Sequence, residues 1–357
     1  HAPRGRRRHR LHATGKDTMS TISETRQLRD QFWHLLCHRS ELPASGDYLK
    51  LDWLGEEVVV YNDQGELIAF DNLCPHRGTR FFTEKRGNAP LACPYHGWAY
   101  RAGAMHIPCR ERYAPAELDN ARLQVLQLDW CADFLFASPQ PRMPLEAQLG
   151  ETQATLENIS FNVAGLGDFN AYDYECDWRI ALENALEPLH VPFVHPESLA
   201  QLQLDDGENR FTDWTSTWEA GLGNAGMARK LRSVKRLFQL DSQFEGYQSL
   251  YLFPFTMLSS TFSYSYSLQH FFPSTQAQRT HFSSRLLMAA TKPAASATLQ
   301  GFFDSSAQMN RQVFEEDHAI CKRIAVQAAD SARFKILSSD EAKIAHFRAC
   351  LAAASQS

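Results

Sequence analysis

Residues Cys74 to Tyr100 read CPHRGTRFFTEKRGNAPLACPYHGWAY, two matched loops that each open on Cys-Pro and carry one histidine. The spacing is Cys74-x-His76, then sixteen residues, then Cys93-x-x-His96. Two sulfur and two imidazole ligands could hold one zinc ion. Zinc fingers, however, space their halves differently and usually set both histidines on one helix. One cysteine and one histidine per loop suits a two-iron cluster, with thiolates on one iron and neutral imidazoles on the other, which raises the reduction potential. Gly78, Gly97 and the prolines let backbone amides approach the sulfurs.

A second set of ligands lies in ALENALEPLHVPFVHP, Ala181 to Pro196. Asn184, Glu187 and His190 recur at i, i+3 and i+6, which predicts one helical face. His195 lies five residues past His190. Pro192 breaks the helix in this reading and swings His195 back beside His190. Two histidines and a carboxylate make a ferrous site with positions left open for O2. The carboxylate is expected in QVFEEDHAICKRIAVQ, Gln312 to Gln327, read as helical. Asp317 sits there in an apolar stripe of Val313, Phe314, Ile320, Cys321 and Ile324. A buried carboxylate is unfavourable unless paired or metal-bound. Glu316 is the fallback ligand, and Glu315 is expected to face solvent.

The run CPHRGTRF…CPYHGWAY resembles the Rieske [2Fe-2S] motif, and CPYHGW is similar to the wording of the Rieske non-heme iron oxygenases, terminal oxygenase alpha-subunit type. Respiratory Rieske proteins carry an extra cysteine in each loop. Here those neighbourhoods hold Arg77-Gly78-Thr79 and Tyr95, as in the type that serves an oxygenase or acts as a ferredoxin. The second region resembles the family's Asn-x-x-Asp-x-x-His-x4-His pattern with its distal Glu-Asp pair. The resemblance implies a [2Fe-2S] cluster on Cys74, His76, Cys93 and His96, and mononuclear Fe(II) on His190, His195 and Asp317. Asn184 and Glu187 complete the implied catalytic set. Glu187 stands in the bridging position between the iron and a cluster histidine, where aspartate is usual. Glutamate there is similar to the subgroup that oxidises quaternary amines.

The activity implied is O2-dependent hydroxylation or oxidative demethylation of a small aromatic or methylated molecule. Electrons come from NAD(P)H through a separate ferredoxin or flavin reductase. The family's route crosses from the cluster of one subunit to the iron of the next in a head-to-tail homotrimer. Here that is His96 or His76 to Glu187 and His190. Two other readings are a Rieske electron carrier with an unrelated C-terminal domain and a zinc-stabilised binding protein.

The elements that must position these groups follow from the rest of the chain. Its 357 residues, 44% hydrophobic and 22% charged with net charge −5, suit two domains with a sizeable core. The mild acidity gives no reason to expect nucleic acid or a membrane surface as partner, and no apolar run is long enough to span a bilayer. Of the eight cysteines, the six outside the ligand loops are scattered, as buried thiols in a reducing cytoplasm would be. Residues 1–18 are basic, precede the first methionine, Met19, and are read as a non-native or upstream extension.

The fold expected is α+β, an N-terminal all-β Rieske domain with a short helix at its start (19–140) and a helix-grip catalytic domain (141–357). Residues 47–70 read as a hairpin turning at Asn62–Gly65. Ser138–Pro144 reads as a linker, 251–273 and 279–291 as strands, and 298–328 and 338–354 as helices. In 262–270 the alternation puts Phe262, Tyr264, Tyr266, Leu268 and His270 on one face, read first as sheet core. Trp214, Trp218 and Gly221–Phe238 are candidates for a lid, with the basic run in that segment read as a solvated helix face.

Overall fold

Alternating β-formers between Gly-containing turns give the first half its strands. A computed structural model describes residues 15–53, 55–292 and 297–356. The leader before residue 15 lies outside them. Helix α1 (Gly15–Gln31) leads into β1 (His34–His38). Strands β2 (Asp47–Trp53), β3 (Glu56–Asp63), β4 (Glu66–Asp71) and β5 (Arg86–Asn88) form one antiparallel sheet in the order β4-β3-β2-β5. The predicted hairpin is thus three strands. Its second turn falls where expected, with Gln64 and Gly65 both at positive φ, as a tight two-residue turn requires. The first turn, at Gly55 (φ +78°), was hidden inside an apparently continuous run. The hairpin β6 (Ala99–Arg101) and β7 (Ala104–His106) follows the second ligand loop. After α2 (Pro115–Leu118), β8 (Gln127–Cys131) and β9 (Phe134–Ser138) join β1 in a separate sheet.

Beyond α3 (Leu145–Leu149) and α4 (Thr152–Asn162) lies a seven-stranded antiparallel sheet. Its strands are β10 (Val163–Tyr174), β11 (Glu208–Phe211), β12 (Thr215–Ala220), β13 (Tyr247–Leu252), β14 (Thr256–Thr261), β15 (Ser265–Pro273) and β16 (Thr280–Ala289). The order is β10-β16-β15-β14-β13-β12-β11. Helices α5 (Trp178–Leu186), α6 (Val191–Val194), α7 (Ala225–Phe238), α8 (Ala297–Cys321) and α9 (Ala342–Ala354) complete the unit. The α+β class is as the sequence predicts.

One hydrophobic cluster runs through both halves, joining Leu49, Trp53 and Val60 to Tyr251, Phe255 and Phe271. Fully buried Arg285 reaches from β16 to the Leu36 carbonyl of β1 at 2.6 Å.

Two helix predictions need correction. The face carrying Asn184, Glu187 and His190 is not one helix, because α5 stops at Leu186 and Glu187 is extended (φ −128°, ψ 150°). Pro188 is the reason, since a proline disfavours the helical conformation of the residue before it. Pro192 sits in the first turn of α6 and starts that helix rather than breaking one. The other correction is at α8, which ends at Cys321 and leaves Ile324 41% exposed rather than in the stripe. Lys322 and Arg323 directly follow its carboxyl end, where basic residues are favoured.

Candidate active site

The two ligand loops share one backbone design. Gly78 N–H donates to the Cys74 carbonyl (2.9 Å) and Cys74 N–H to that of Thr79 (2.8 Å). In the second loop Gly97 N–H donates to Cys93 (3.0 Å) and Cys93 N–H to Trp98 (2.7 Å). Gly78 and Gly97 close these turns at φ +70° and +71°. Glycine is needed for its backbone freedom rather than for space: a Cβ would meet nothing within 4 Å at Gly78 and only Pro108 at 3.5 Å at Gly97.

The loops put like beside like. Both thiols are buried, and the Cys74 thiol is pushed up by desolvation and by the neighbouring Cys93. The His76 and His96 rings lie 4.6 Å apart, with His76 stacked on Trp98. His76 Nδ1 is buried with no hydrogen-bond partner among the described residues, while His96 is exposed. A sulfur pair beside an imidazole pair, with an orphaned ring nitrogen, fits a two-iron cluster better than four donors converging on one ion.

The second set converges on a point. Donor atoms of His190, His195 and Asp317 all lie within 4.8 Å of one another. Asp317 Oδ1 is the focus, 3.0 Å from His195 Nε2 and 3.6 Å from His190 Nε2. Asn184 reaches from α5 to hold that oxygen through Nδ2 at 2.7 Å. Short α6 carries the imidazoles at its two ends, His190 as N-cap and His195 as C-cap.

Each ring is fixed from behind by another carboxylate. Glu187 Oε1 lies 2.7 Å from His190 Nδ1, and its Oε2 accepts from the backbone amides of Leu189 and His190. Glu316 Oε2 lies 2.7 Å from His195 Nδ1 and accepts from Ser198 Oγ at 3.1 Å. Carboxylates so placed hold the proton on Nδ1 and aim the Nε2 lone pair at a cation. Burial acts to raise the Glu316 pKa, but bonds from His195, Gln312 and Ser198 outweigh it and hold the carboxyl below its ordinary range. Desolvation acts to lower that of His195, but Asp317 and Glu316 outweigh it and raise it. Two imidazoles, one carboxylate and oriented partners fit a ferrous ion.

Glu316, the fallback ligand of the sequence reading, lies outside the converging set of donor atoms and meets His195 at Nδ1 instead. Glu315 is exposed, as expected.

The triad opens on a cavity of about 450 Å³ between α8 and the large sheet. Phe302, Ser305, Met309, Asn310, Val313 and Asp317 present one face of α8 to it. Its floor is a straight rung of paired residues across six strands: Asn209, Trp218, Ser249, Ser259, Ser267 and Leu286. The alternation in 262–270 predicts that the aromatic face is sheet core. Tyr266 and Leu268 are core as expected, and so is Phe262, although Phe262 and Ser263 form a left-handed turn before the strand. The serine face, with Ser265, Ser267 and Gln269, lines the cavity. Trp218, Met227 and Leu231 also line it, whereas Trp214 packs in the core against Phe32 and Phe253. Of the basic run on α7, Arg229, Lys230, Arg232 and Arg236 are exposed, but Lys235 is buried and donates to the Phe244 carbonyl.

Residues 32–121 match the family profile of the Rieske [2Fe-2S] domain, and 165–357 that of the ring hydroxylating alpha subunit (catalytic domain). The glycine betaine monooxygenase oxygenase subunit of Chromohalobacter salexigens is 30% identical over 196 residues, 52% of this chain and 43% of that protein. The carnitine monooxygenase oxygenase subunit of Escherichia coli K12 is 28% identical over 236 residues, 64% and 61%. The anthranilate 1,2-dioxygenase large subunit of Acinetobacter baylyi is 26% identical over 190 residues, 49% and 40%. The chain therefore spans about half the length of the curated relatives it matches. Among solved structures, a quaternary ammonium Rieske monooxygenase with an inhibitor superposes with a TM-score of 0.75 at 18% identity, covering 93% of this chain and 91% of that one. A naphthalene 1,2-dioxygenase with bound indole gives 0.70 at 19%, covering 88% and 79%. At such identities these two superpositions establish the fold.

Proposed function

The chain belongs to the ring hydroxylating alpha subunits, with a Rieske [2Fe-2S] domain ahead of the catalytic domain, and from that premise we propose that it is the oxygenase component of a multicomponent system. It hydroxylates or oxidatively demethylates a small organic molecule, using O2 and electrons from NAD(P)H delivered by a separate ferredoxin or flavin reductase. The observation that carries this reading is the triad of His190, His195 and Asp317, with both imidazoles oriented from behind and all three facing a cavity large enough for a small substrate. An electron carrier has no use for such a site.

When bound, the cluster supplies electrons singly and the ferrous ion supplies open positions for O2. The protein's part is positioning. Glu187 and Glu316 keep the Nδ1 protons of His190 and His195, and Asn184 fixes the Asp317 carboxylate. Leu186, Val313 and Phe314 line the cavity with apolar surface that limits water.

The active assembly in this reading is a head-to-tail ring of three copies. His96 is exposed beside exposed Tyr95 (57%), and Leu73 (52%) flanks the other ligand loop. Glu187 is flanked by exposed Leu189 (40%) and Phe193 (85%). Apolar residues at both places suit contact between the cluster loops of one copy and the Glu187 segment of the next, with Glu187 as the bridge. All eight cysteines are free and seven are buried, which suits a reducing cytoplasm. No helix of the described residues is long and apolar enough to cross a membrane.

Within the class, a methylated amine is favoured by Glu187 and by relatives named for glycine betaine and carnitine. Aromatic Trp218, Tyr247, Tyr264 and Phe302 on the cavity wall can face such a cation. Reductase-coupled O2 uptake and formaldehyde release, screened against methylated amines, methyl ethers and aromatic acids, test the proposal. The expected result is substrate-dependent uptake that His195→Ala abolishes; uptake that survives that change rejects it.

A further inference from the structure

Among the described residues the cavity has no lysine or arginine on its wall, yet a lysine is hydrogen-bonded to one of its floor residues. Lys343, in the first turn of α9, is 2% exposed. Its Nζ donates to Ser249 Oγ at 2.7 Å and to the Ser249 carbonyl at 3.3 Å. It makes no ion pair with any carboxylate among the described residues. A buried lysine lacking a counter-charge is unfavourable in its charged form, and burial pushes Lys343 down to about 7.

The bond has a direction. In its charged form the lysine nitrogen has only protons to give, so Ser249 Oγ accepts and the serine's own O–H is left to donate elsewhere. Ser249 belongs to the floor rung, between Trp218 and Ser259. The cavity therefore offers a hydroxyl donor polarised by a cation, which strengthens a bond to an acceptor and most of all to an anionic one. Opposing charge is weak here. Glu197 and Asp340 on the cavity edge are exposed to water, Asp317 is engaged by imidazoles, and Glu187 is engaged by an imidazole and backbone amides.

We propose that Lys343, acting through Ser249, is a specificity-determining residue that selects substrates carrying an oxyanion, such as a carboxylate, placed against the Ser249 hydroxyl. The proposal rests on the reading of this cavity as the substrate site. Lys343 acts as a positioning residue, since it reaches the cavity only through the serine.

The test is binding without turnover. Iron-loaded protein kept under argon is titrated calorimetrically with two matched pairs, benzoate against benzamide and butyrate against butyramide, which separate aromatic from aliphatic carriers of the same group. The expected result is a carboxylate preference of about tenfold or more in at least one pair, as a charge-assisted hydrogen bond provides. Lys343→Met, which keeps length and apolar stem, removes the preference while amide affinity stays within about twofold and iron content is unchanged. Ser249→Ala likewise removes the carboxylate preference should Lys343→Met fold poorly. Equal binding within both pairs, no measurable binding of either carboxylate, or a preference that survives both changes overturns the proposal. The oxygenase reading stands or falls separately, on iron content and O2 uptake.

Discussion

Truncation of Glu316 probes how far the ferrous site depends on residues that do not ligate. Its Oε2 fixes His195 Nδ1 at 2.7 Å, and its own position is set by Ser198 Oγ at 3.1 Å and Gln312 Nε2 at 2.8 Å. In Glu316→Ala the His195 ring keeps its burial but loses the acceptor that selects its tautomer and rotation. Removing such a partner lowers metal affinity by about 10- to 100-fold, or about 1.4 to 2.7 kcal/mol. Glu316→Gln keeps an oxygen in reach of Nδ1 but removes the charge and brings a donor amide against Gln312. Its loss is expected at the low end of that range. The assay is chelator competition for the mononuclear iron under argon, with the visible absorbance of the cluster as internal control. Wild-type iron affinity in Glu316→Ala, with an unchanged cluster, refutes the argument that this carboxylate orients the ligand.

Three further outcomes follow from the same geometry. Glu187→Gln is expected to lower reductase-coupled turnover at least about tenfold with iron retained; near-normal turnover removes Glu187 as the bridge. Gly97→Ala places a side chain at φ +71° with no steric conflict, so only backbone strain of about 1–2 kcal/mol is expected, read as a lowered unfolding midpoint. Lys343→Met tests the buried charge through pH. The folded-state pKa of Lys343 is depressed, from 10.5 to about 7, so between those values the unfolded chain binds more protons than the folded one and stability rises with pH. The variant is therefore expected to be more stable than wild type at and below neutral pH, by up to a few kcal/mol, with the difference vanishing toward pH 10.5. Denaturant unfolding at pH 6, 8 and 10 measures it, and a difference that grows with pH contradicts it.

What could be seen in the sequence was whatever local spacing controls. The ligand loops were legible because Cys-x-His, Cys-x-x-His and the two glycines act within a single turn. His190, His195 and Asp317 were legible because two histidines and a mid-helix acid have few other uses together. The geometry between them was not, because helical periodicity ignores that Pro188 forces Glu187 out of the helix. The role of Glu316 depends on which nitrogen of His195 it meets, a contact 121 residues apart in sequence. The cavity floor was missed because alternation marks the apolar face as informative, whereas both faces of this sheet are covered and the serine face borders the cavity. Lys343 reads as an ordinary helix lysine until the sheet is placed against it.

Metal analysis of paired proteins decides whether one chain carries both a two-iron cluster and a separate lone iron. Protein made and purified without air, as wild type and as His195→Ala, is analysed for iron, zinc and acid-labile sulfide. Wild type is expected to hold one iron beyond the two of the [2Fe-2S] cluster, and His195→Ala to lose that iron alone, with sulfide unchanged. Zinc in place of iron, or an iron content that the change leaves untouched, contradicts it.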